Sequence, residues 1–195
     1  MQVMRRREKD DHTISDPELI RRCSEGDQRA QELLYRRYFS FAMSVCVRYT
    51  GDQYDAMEVV NDSYMKVLGS IKDIDSSKSF RSWYGRILVN SAIDRYRRNT
   101  RHVSHLQLND LETADGQEDP VSTELSANEI LKLFDRLPDN YRVTFNLYEI
   151  EGYSHEEIGQ MLDISASTSR SNLFRAKRML RMLYNRNFNT EKRGE

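Results

Sequence analysis

The sequence predicts an all-α protein: two helical domains joined by an acidic flexible linker. Three observations predict it. Apolar residues recur at i, i+3, i+4 and i+7 through most of the chain, the period of a helix buried along one face. Only three prolines and eight glycines interrupt the 195 residues, and no stretch gives a persuasive strand or an internal repeat. Charge comes in blocks. Residues 84–101 carry five arginines against one aspartate, 106–129 seven acidic residues and no basic one, and 165–186 six basic residues and no acidic one. The net charge of −1 conceals that order.

Residues 1–15 read as a disordered N-terminal arm. Ser15 or Asp16 then caps a first helix, with Pro17 at its first position and Leu19, Ile20 and Cys23 as its apolar face. Gly26 and Asp27 break it. A long helix over 28–49 places Leu33, Leu34, Tyr38, Phe41, Ala42, Val45 and Cys46 at helical spacing. A turn at 50–53 leads to a helix over 54–68, and a loop over 69–79 with apolar interruptions at Ile71 and Ile74. The helix over 80–98 turns Phe80, Trp83, Tyr84, Ile87 and Leu88 inward. The first domain therefore spans 16–100 and the acidic linker 101–127, where Gly116 and Pro120 stand in sequence without helical period. A second domain spans 128–186. It opens with Ile130, Leu131, Phe134 and Leu137 before Pro138, continues in a helix over 139–149, and ends before a tail at 187–195.

Composition excludes several classes. Two cysteines, Cys23 and Cys46, are too few for a disulfide framework and read as buried free thiols. His102 and His105 have a ligand-like spacing but no partner cysteines or histidines nearby, so no metal and no cofactor is expected. The N-terminus has no apolar signal core, and no run approaches membrane-spanning length; no membrane insertion and a cytoplasmic protein are expected.

The densest signal is 154–178, SHEEIGQMLDISASTSRSNLFRAKR. Ser154 and Glu157 form a capping-box pattern, and Ile158, Met161 and Leu162 give one apolar face. Gly159 costs roughly 1 kcal/mol against alanine mid-helix, a cost tolerable where another helix crosses closely. Asp163, Ile164 and Ser165 make a turn, with Ser165 as the next N-cap. In the second helix Ser169, Leu173, Ala176 and Leu180 share a face. Ser167, Thr168, Arg170, Ser171, Asn172, Phe174, Arg175, Lys177 and Arg178 are the candidate DNA contacts of this helix-turn-helix. Short polar residues and Arg170 near its start are placed for base edges; Arg175, Lys177 and Arg178 are better placed for phosphates.

The first domain holds two further candidates. Asp55, Glu58 and Asp62, with Asn61 beside them, form an acidic stripe opposite Met57, Val60, Tyr64 and Val67. It reads as a docking surface for a basic protein partner or as a solvated face. The helix over 80–98 is aromatic at its start and arginine-rich at its end, with Arg86, Asn90 and Arg97 on one side. Before it lies a small polar loop over 73–79. Cations that track phosphates beside a pocket for an unstacked base are what single-stranded DNA binding requires.

In this order the features resemble a family. DAMEVVNDSYMKVL, FRSWYGRILVNSAIDRYRR and LPDNYRVTFNLYEIEGYSHEEIGQMLDISASTSRSNLFRAKRML together resemble bacterial sigma factors of the extracytoplasmic-function class. Those are the minimal members of the sigma-70 family, with regions two and four only. The resemblance covers about 16–184. It implies a non-enzymatic subunit that binds core RNA polymerase, through the β′ clamp helices and the β flap, and directs promoter recognition and melting. Asp55, Glu58, Asn61 and Asp62 would bind polymerase. Asp73, Ser76, Ser77, Lys78, Ser79, Arg86, Asn90, Arg95, Arg97 and Arg98 would bind the −10 element, the loop holding a flipped base. The helix-turn-helix would bind the −35 element, and an anti-sigma factor would be a further partner. The chain departs from the family's usual residues at Asn61 for glutamine, Leu68 for tryptophan, Gly159 for alanine and Ser169 for valine.

Two other readings compete. A stand-alone helix-turn-helix regulator needs a dimer to span two half-sites, and no heptad or other dimer helix is visible. A nucleic-acid enzyme needs a carboxylate cluster or metal site, yet the acidic residues here fall on a linker or a stripe.

Overall fold

A computed structural model describes residues 14–74, 79–103 and 133–188. All regular elements among them are helical: α1 (Asp16–Ser24), α2 (Gln28–Thr50), α3 (Gln53–Ser70), a 3-10 turn (Ile71–Asp73), α4 (Phe80–Val103), α5 (Asp139–Phe145), a π-helical turn (Asn146–Ile150), α6 (His155–Leu162) and α7 (Ala166–Phe188). The chain forms two compact units that divide between Ala92 and Ile93, within α4. The helix expected over 80–98 runs on to Val103, so it takes in the first residues of the expected linker; the rest of that linker, the arm up to residue 13, Ser76, Ser77, Lys78, and the side chains of His102 and His105 lie outside the described residues.

In the first unit, α1 to α4 bury one apolar face each. Leu19, Leu34, Cys46, Val60, Val67, Tyr84 and Leu88 are core residues. Aromatic rings join the helices: Tyr38 meets Phe80 at 4.6 Å and Tyr84 lies 5.6 Å from Phe80, both between centroids. Helix boundaries follow local chemistry. Gly26 ends α1 with φ of 86°, which a side chain resists. Asp27, read from sequence as part of a break, in fact starts α2. Its carboxylate accepts from the backbone N–H groups of Arg29 and Ala30 at 3.0 and 3.1 Å, satisfying donors a helix start leaves open. Asp52 does the same for α3 through Tyr54 N–H. At α1 the expected cap differs. Ser15 holds the cap position without a side-chain bond, and Pro17 follows Asp16 into the first turn. Asp16 instead accepts from Arg37 at 2.7 Å and from the Tyr38 hydroxyl, tying α1 to α2.

Both thiols are buried and unpaired with each other. Burial pushes Cys23 up to about 11 and Cys46 up to about 12, which keeps both as unreactive thiols at neutral pH.

In the second unit α5 and α6 pack against α7 and the π-helical turn packs against α5 and α6, with Leu137, Val143, Leu147, Ile158, Leu162, Leu173 and Ala176 buried. The helix expected over 139–149 widens at Asn146, where Glu151 N–H donates to Asn146 C=O five residues back. Periodicity cannot distinguish that turn from a continuing α-helix. No helix among the described residues is long and apolar enough to cross a membrane.

Gly159 has a different cause from the one expected. A Cβ there would lie 2.8 Å from the backbone oxygen of Ile164 and 3.4 Å from Ala166 N. The turn itself, not a crossing helix, occupies the space. Gly159→Ala therefore trades a helix gain of about 1 kcal/mol for displacement of a backbone turn costing roughly 1–3 kcal/mol. The expected result is a lower melting temperature of the second unit by calorimetry; an unchanged or raised one would contradict it.

Candidate functional site

The first surface is the outer face of α3. Ala56, Val59, Val60, Ser63, Tyr64 and Val67 are buried, so the opposite side faces water. Glu58, Asn61 and Asp62 are exposed there and Asp55 is half-buried beside them. Met57 does not join the buried face as expected: it is 37% exposed, because the buried arc ends at Tyr64 and leaves Met57 at its rim. Sequence reasoning missed two more residues. Tyr54 is 86% exposed and Met65 67% exposed, and both lie among the acidic side chains at helical spacing. Large exposed apolar groups flanked by charge are the composition of a protein interface rather than of a solvated face. Asn61 is also oriented. The Tyr35 hydroxyl donates to its Oδ1 at 2.8 Å, and Tyr35 packs edge-on against Tyr64 at 5.0 Å.

The second surface follows α4. Ser79 caps the helix by accepting from Ser82 N–H at 3.2 Å. Asp73 and Ser79 are exposed at the two ends of the short loop. Along the helix Arg86 and Asn90 are exposed, one turn apart, while Ser91 and Ala92 are buried behind them. Past the division between the units, Arg95 and Arg97 are half-buried and Arg98 is exposed. Near the helix start the Arg81 guanidinium sits 4.1 Å from the centroid of the Phe41 ring, so this cation serves packing.

The third surface is α7. Both halves of the capping box are present: Ser154 Oγ accepts from Glu157 N–H at 3.2 Å, and the Glu157 carboxylate accepts from Ser154 N–H at 2.8 Å. The Ser154 backbone bond, then its hydroxyl, hold the Glu157 carboxyl below the usual carboxylate range. A lowered value means this start is secured above the ordinary range and weakens as pH falls through the lowered one. Asp163, at φ of 58°, ends α6 in the left-handed region. Ser165 Oγ then accepts from Thr168 N–H at 2.9 Å and starts α7.

Ser169, Leu173 and Ala176 are buried. Ser167, Thr168, Arg170, Ser171, Phe174, Arg175 and Lys177 are exposed and Arg178 is half-buried. Asn172 departs from the expected set. It is 7% exposed, because α7 packs on a face wide enough to take in the residue preceding Leu173. Phe174, by contrast, is 65% exposed. Several cations of the face have partners in their own unit. Lys177 pairs with Glu149 at 2.6 Å, Arg170 approaches Glu156 at 3.8 Å, and Arg175 donates to the Tyr141 hydroxyl at 3.3 Å. Such pairs are worth about 0–1 kcal/mol at a surface, so a phosphate or base edge can displace them. Among the described residues no group of three metal-ligating side chains is present.

The chain matches the family models for Sigma-70 region 2 over residues 34–102 and Sigma-70 region 4 over residues 127–180. It is 30% identical over 181 residues to the ECF RNA polymerase sigma-E factor of Haemophilus influenzae, covering 86% of this chain and 94% of that one. To the protein of the same description in Escherichia coli (strain K12) it is 28% identical over 175 residues, covering 84% and 91%. Among solved structures, a sigma factor RpoE in complex with the anti-sigma factor NepR from Bartonella quintana is similar, with a TM-score of 0.47 at 17% identity over 80% of this chain and 97% of that one. With a region 2 and a region 4, and with relatives matched along nearly their whole length, the chain belongs to the extracytoplasmic-function sigma factors of the sigma-70 family, non-enzymatic subunits that direct RNA polymerase to promoters.

Proposed function

We propose that the three surfaces divide the work of initiation. The outer face of α3, with Asp55, Glu58, Asn61 and Asp62 joined by Tyr54 and Met65, docks on the clamp helices of the polymerase β′ subunit, and region 4 docks near the β flap. The face of α7 reads the −35 element through Arg170, Ser171 and Arg175, with Lys177 and Arg178 on phosphates and Ser167, Thr168 and Phe174 beside them. Arg86, Asn90, Arg95, Arg97 and Arg98 hold the −10 strand. The loop over Asp73, Ser76, Ser77, Lys78 and Ser79 takes a flipped base of the non-template strand. Asn172 is left out of the contact set on account of its burial. An anti-sigma factor that covers these surfaces is a further partner, and the protein works in the cytoplasm with polymerase.

One observation carries this reading. On α7 the packing residues lie on one side, and a basic, polar face beginning at Ser167 is left open directly after a capped helix and a tight turn. A helix presented this way fits the major groove. Flipping a base costs a few kcal/mol, so the free protein is expected to bind promoter DNA weakly. Run-off transcription with bacterial core polymerase, with and without this protein, is the direct test. Tight, specific promoter binding by the protein alone would contradict the mechanism.

Arg170→Ala is expected to lower transcription from a −35-dependent promoter by about 5- to 150-fold, the worth of a bidentate base contact of roughly 1–3 kcal/mol. Lys177→Ala is expected to weaken binding across all sequences and to reduce the salt slope by about one. Filter binding of holoenzyme at several salt concentrations distinguishes the two roles.

A further inference from the structure

We infer that His155 is a positioning residue for −35 recognition: it sets the rotation of α7 about its own axis, acting through Ser169. Ser169 is fully buried in the packing face of α7, next to Arg170 and two residues before Ser171. Its Oγ lies 3.0 Å from Nδ1 of His155, the first residue of α6. The imidazole is in turn stacked on Tyr148 of the π-helical turn, with centroids 4.4 Å apart and planes inclined by 19°. One ring therefore joins three elements of the second unit: the π turn by stacking, α6 through its own backbone, and α7 by a hydrogen bond.

The chemistry makes this bond directive. A buried apolar side chain at position 169 would tolerate small rotations, since dispersion is non-directional. A buried hydroxyl must be satisfied and accepts only a narrow range of distance and angle. The Ser165 carbonyl takes the Ser169 N–H at 3.0 Å, while the Ser169 hydroxyl itself meets the His155 ring. The nearby hydroxyls of Ser165 and Thr168 are engaged with each other at 2.8 Å. His155 is thus the side chain that fixes where Ser169 points, and Arg170 and Ser171 turn with it. Tyr148 keeps the ring in plane and stops it from following α7.

This inference rests on the reading of α7 as the −35 helix, and the experiment separates the two. Holoenzyme made with the full chain transcribes a template pool in which the −35 hexamer is randomised, and the transcripts are sequenced. The preference for the best hexamer over the pool mean is a ratio, so it does not depend on how much of each variant is active. His155→Phe and Ser169→Ala are each expected to reduce it about fivefold, the factor of one net hydrogen bond. The double variant is expected to fall no further. His155→Asn, which keeps a hydrogen-bonding atom on Cγ where Nδ1 sits, is expected to stay within about twofold of wild type. In 15N spectra Ser169→Ala is expected to move the Nδ1 resonance of His155. An undiminished preference in His155→Phe or Ser169→Ala overturns the role, as do additive losses or a His155→Asn variant as impaired as His155→Phe. Arg170→Ala in the same pool is the reference. Lost preference there with none lost in His155→Phe overturns the positioning role alone, whereas none lost in either overturns the reading of α7.

Discussion

Glu58→Arg, and separately Asp62→Arg, is expected to abolish run-off transcription while leaving the melting temperature of the protein unchanged. Both side chains are exposed on the outer face of α3, away from the buried row formed by Ala56, Val59, Val60, Ser63, Tyr64 and Val67. Reversal therefore removes no core contact. At a docked interface the same change converts an attraction into a repulsion, and like charges brought together there cost several kcal/mol. Around 4 kcal/mol is about a thousandfold in affinity, enough to empty the complex at working concentrations. Tyr54→Ala and Met65→Ala act differently. They remove exposed apolar anchors, each expected to weaken binding by about 1–3 kcal/mol if it lies at the centre of the contact. Core binding can be measured by fluorescence anisotropy of labelled protein, beside transcription. If transcription survives both charge reversals, the docking face lies elsewhere.

Much of this surface was legible in the sequence, and the part that was not has a physical reason. The acidic residues stand out because charge recurring at i, i+3 and i+7 marks the outer face of a helix. Tyr54 and Met65 were invisible because an apolar residue at helical spacing reads as core until the width of the buried arc is known. The same limit placed Met57 inside and Asn172 outside. One row of small residues more or less on a packing face moves a flanking side chain across the boundary, and no periodicity fixes that width. Local chemistry was read more securely. The capping box at Ser154 and Glu157 and the cap at Ser165 depend on contacts within four residues, and both are present. The bond between His155 and Ser169 spans fourteen residues and depends on the π-helical turn for the stack that holds it. Nothing in the sequence at either position announces the other.

Arg142→Ala is expected to destabilise region 4 by about 3 kcal/mol, through the loss of two carbonyl partners and the cavity left behind. Arg142 is a charged residue that the core has taken in: it is 4% exposed. Its guanidinium donates to the Leu137 carbonyl at 3.3 Å and reaches the Phe134 carbonyl at 3.4 Å. It also bonds to Asp139, one turn back on α5. These bonds clamp the chain before Pro138 to the first turns of α5, a junction where the proline interrupts helical bonding. The Asp139 carboxylate is 64% exposed, so removing the arginine strands no buried anion. The cost falls on the carbonyls and the void. Arg142→Met fills the void and leaves only the carbonyls, so it is expected to cost less than Arg142→Ala. Arg142→Lys is not expected to restore the clamp, because a single ammonium cannot match the planar fork that serves three acceptors. For a unit of this size about 3 kcal/mol lowers the melting temperature by roughly 15 °C. In calorimetry of the full chain the transition of the second unit should move and that of the first should stay. The same variant warmed in holoenzyme should lose −35 preference before it loses the ability to open DNA, since Arg86 and Asn90 of α4 belong to the first unit. A shift below about 4 °C, the effect of less than 1 kcal/mol, would mean the buried arginine is replaceable and the junction is held by Leu137 and its apolar neighbours alone.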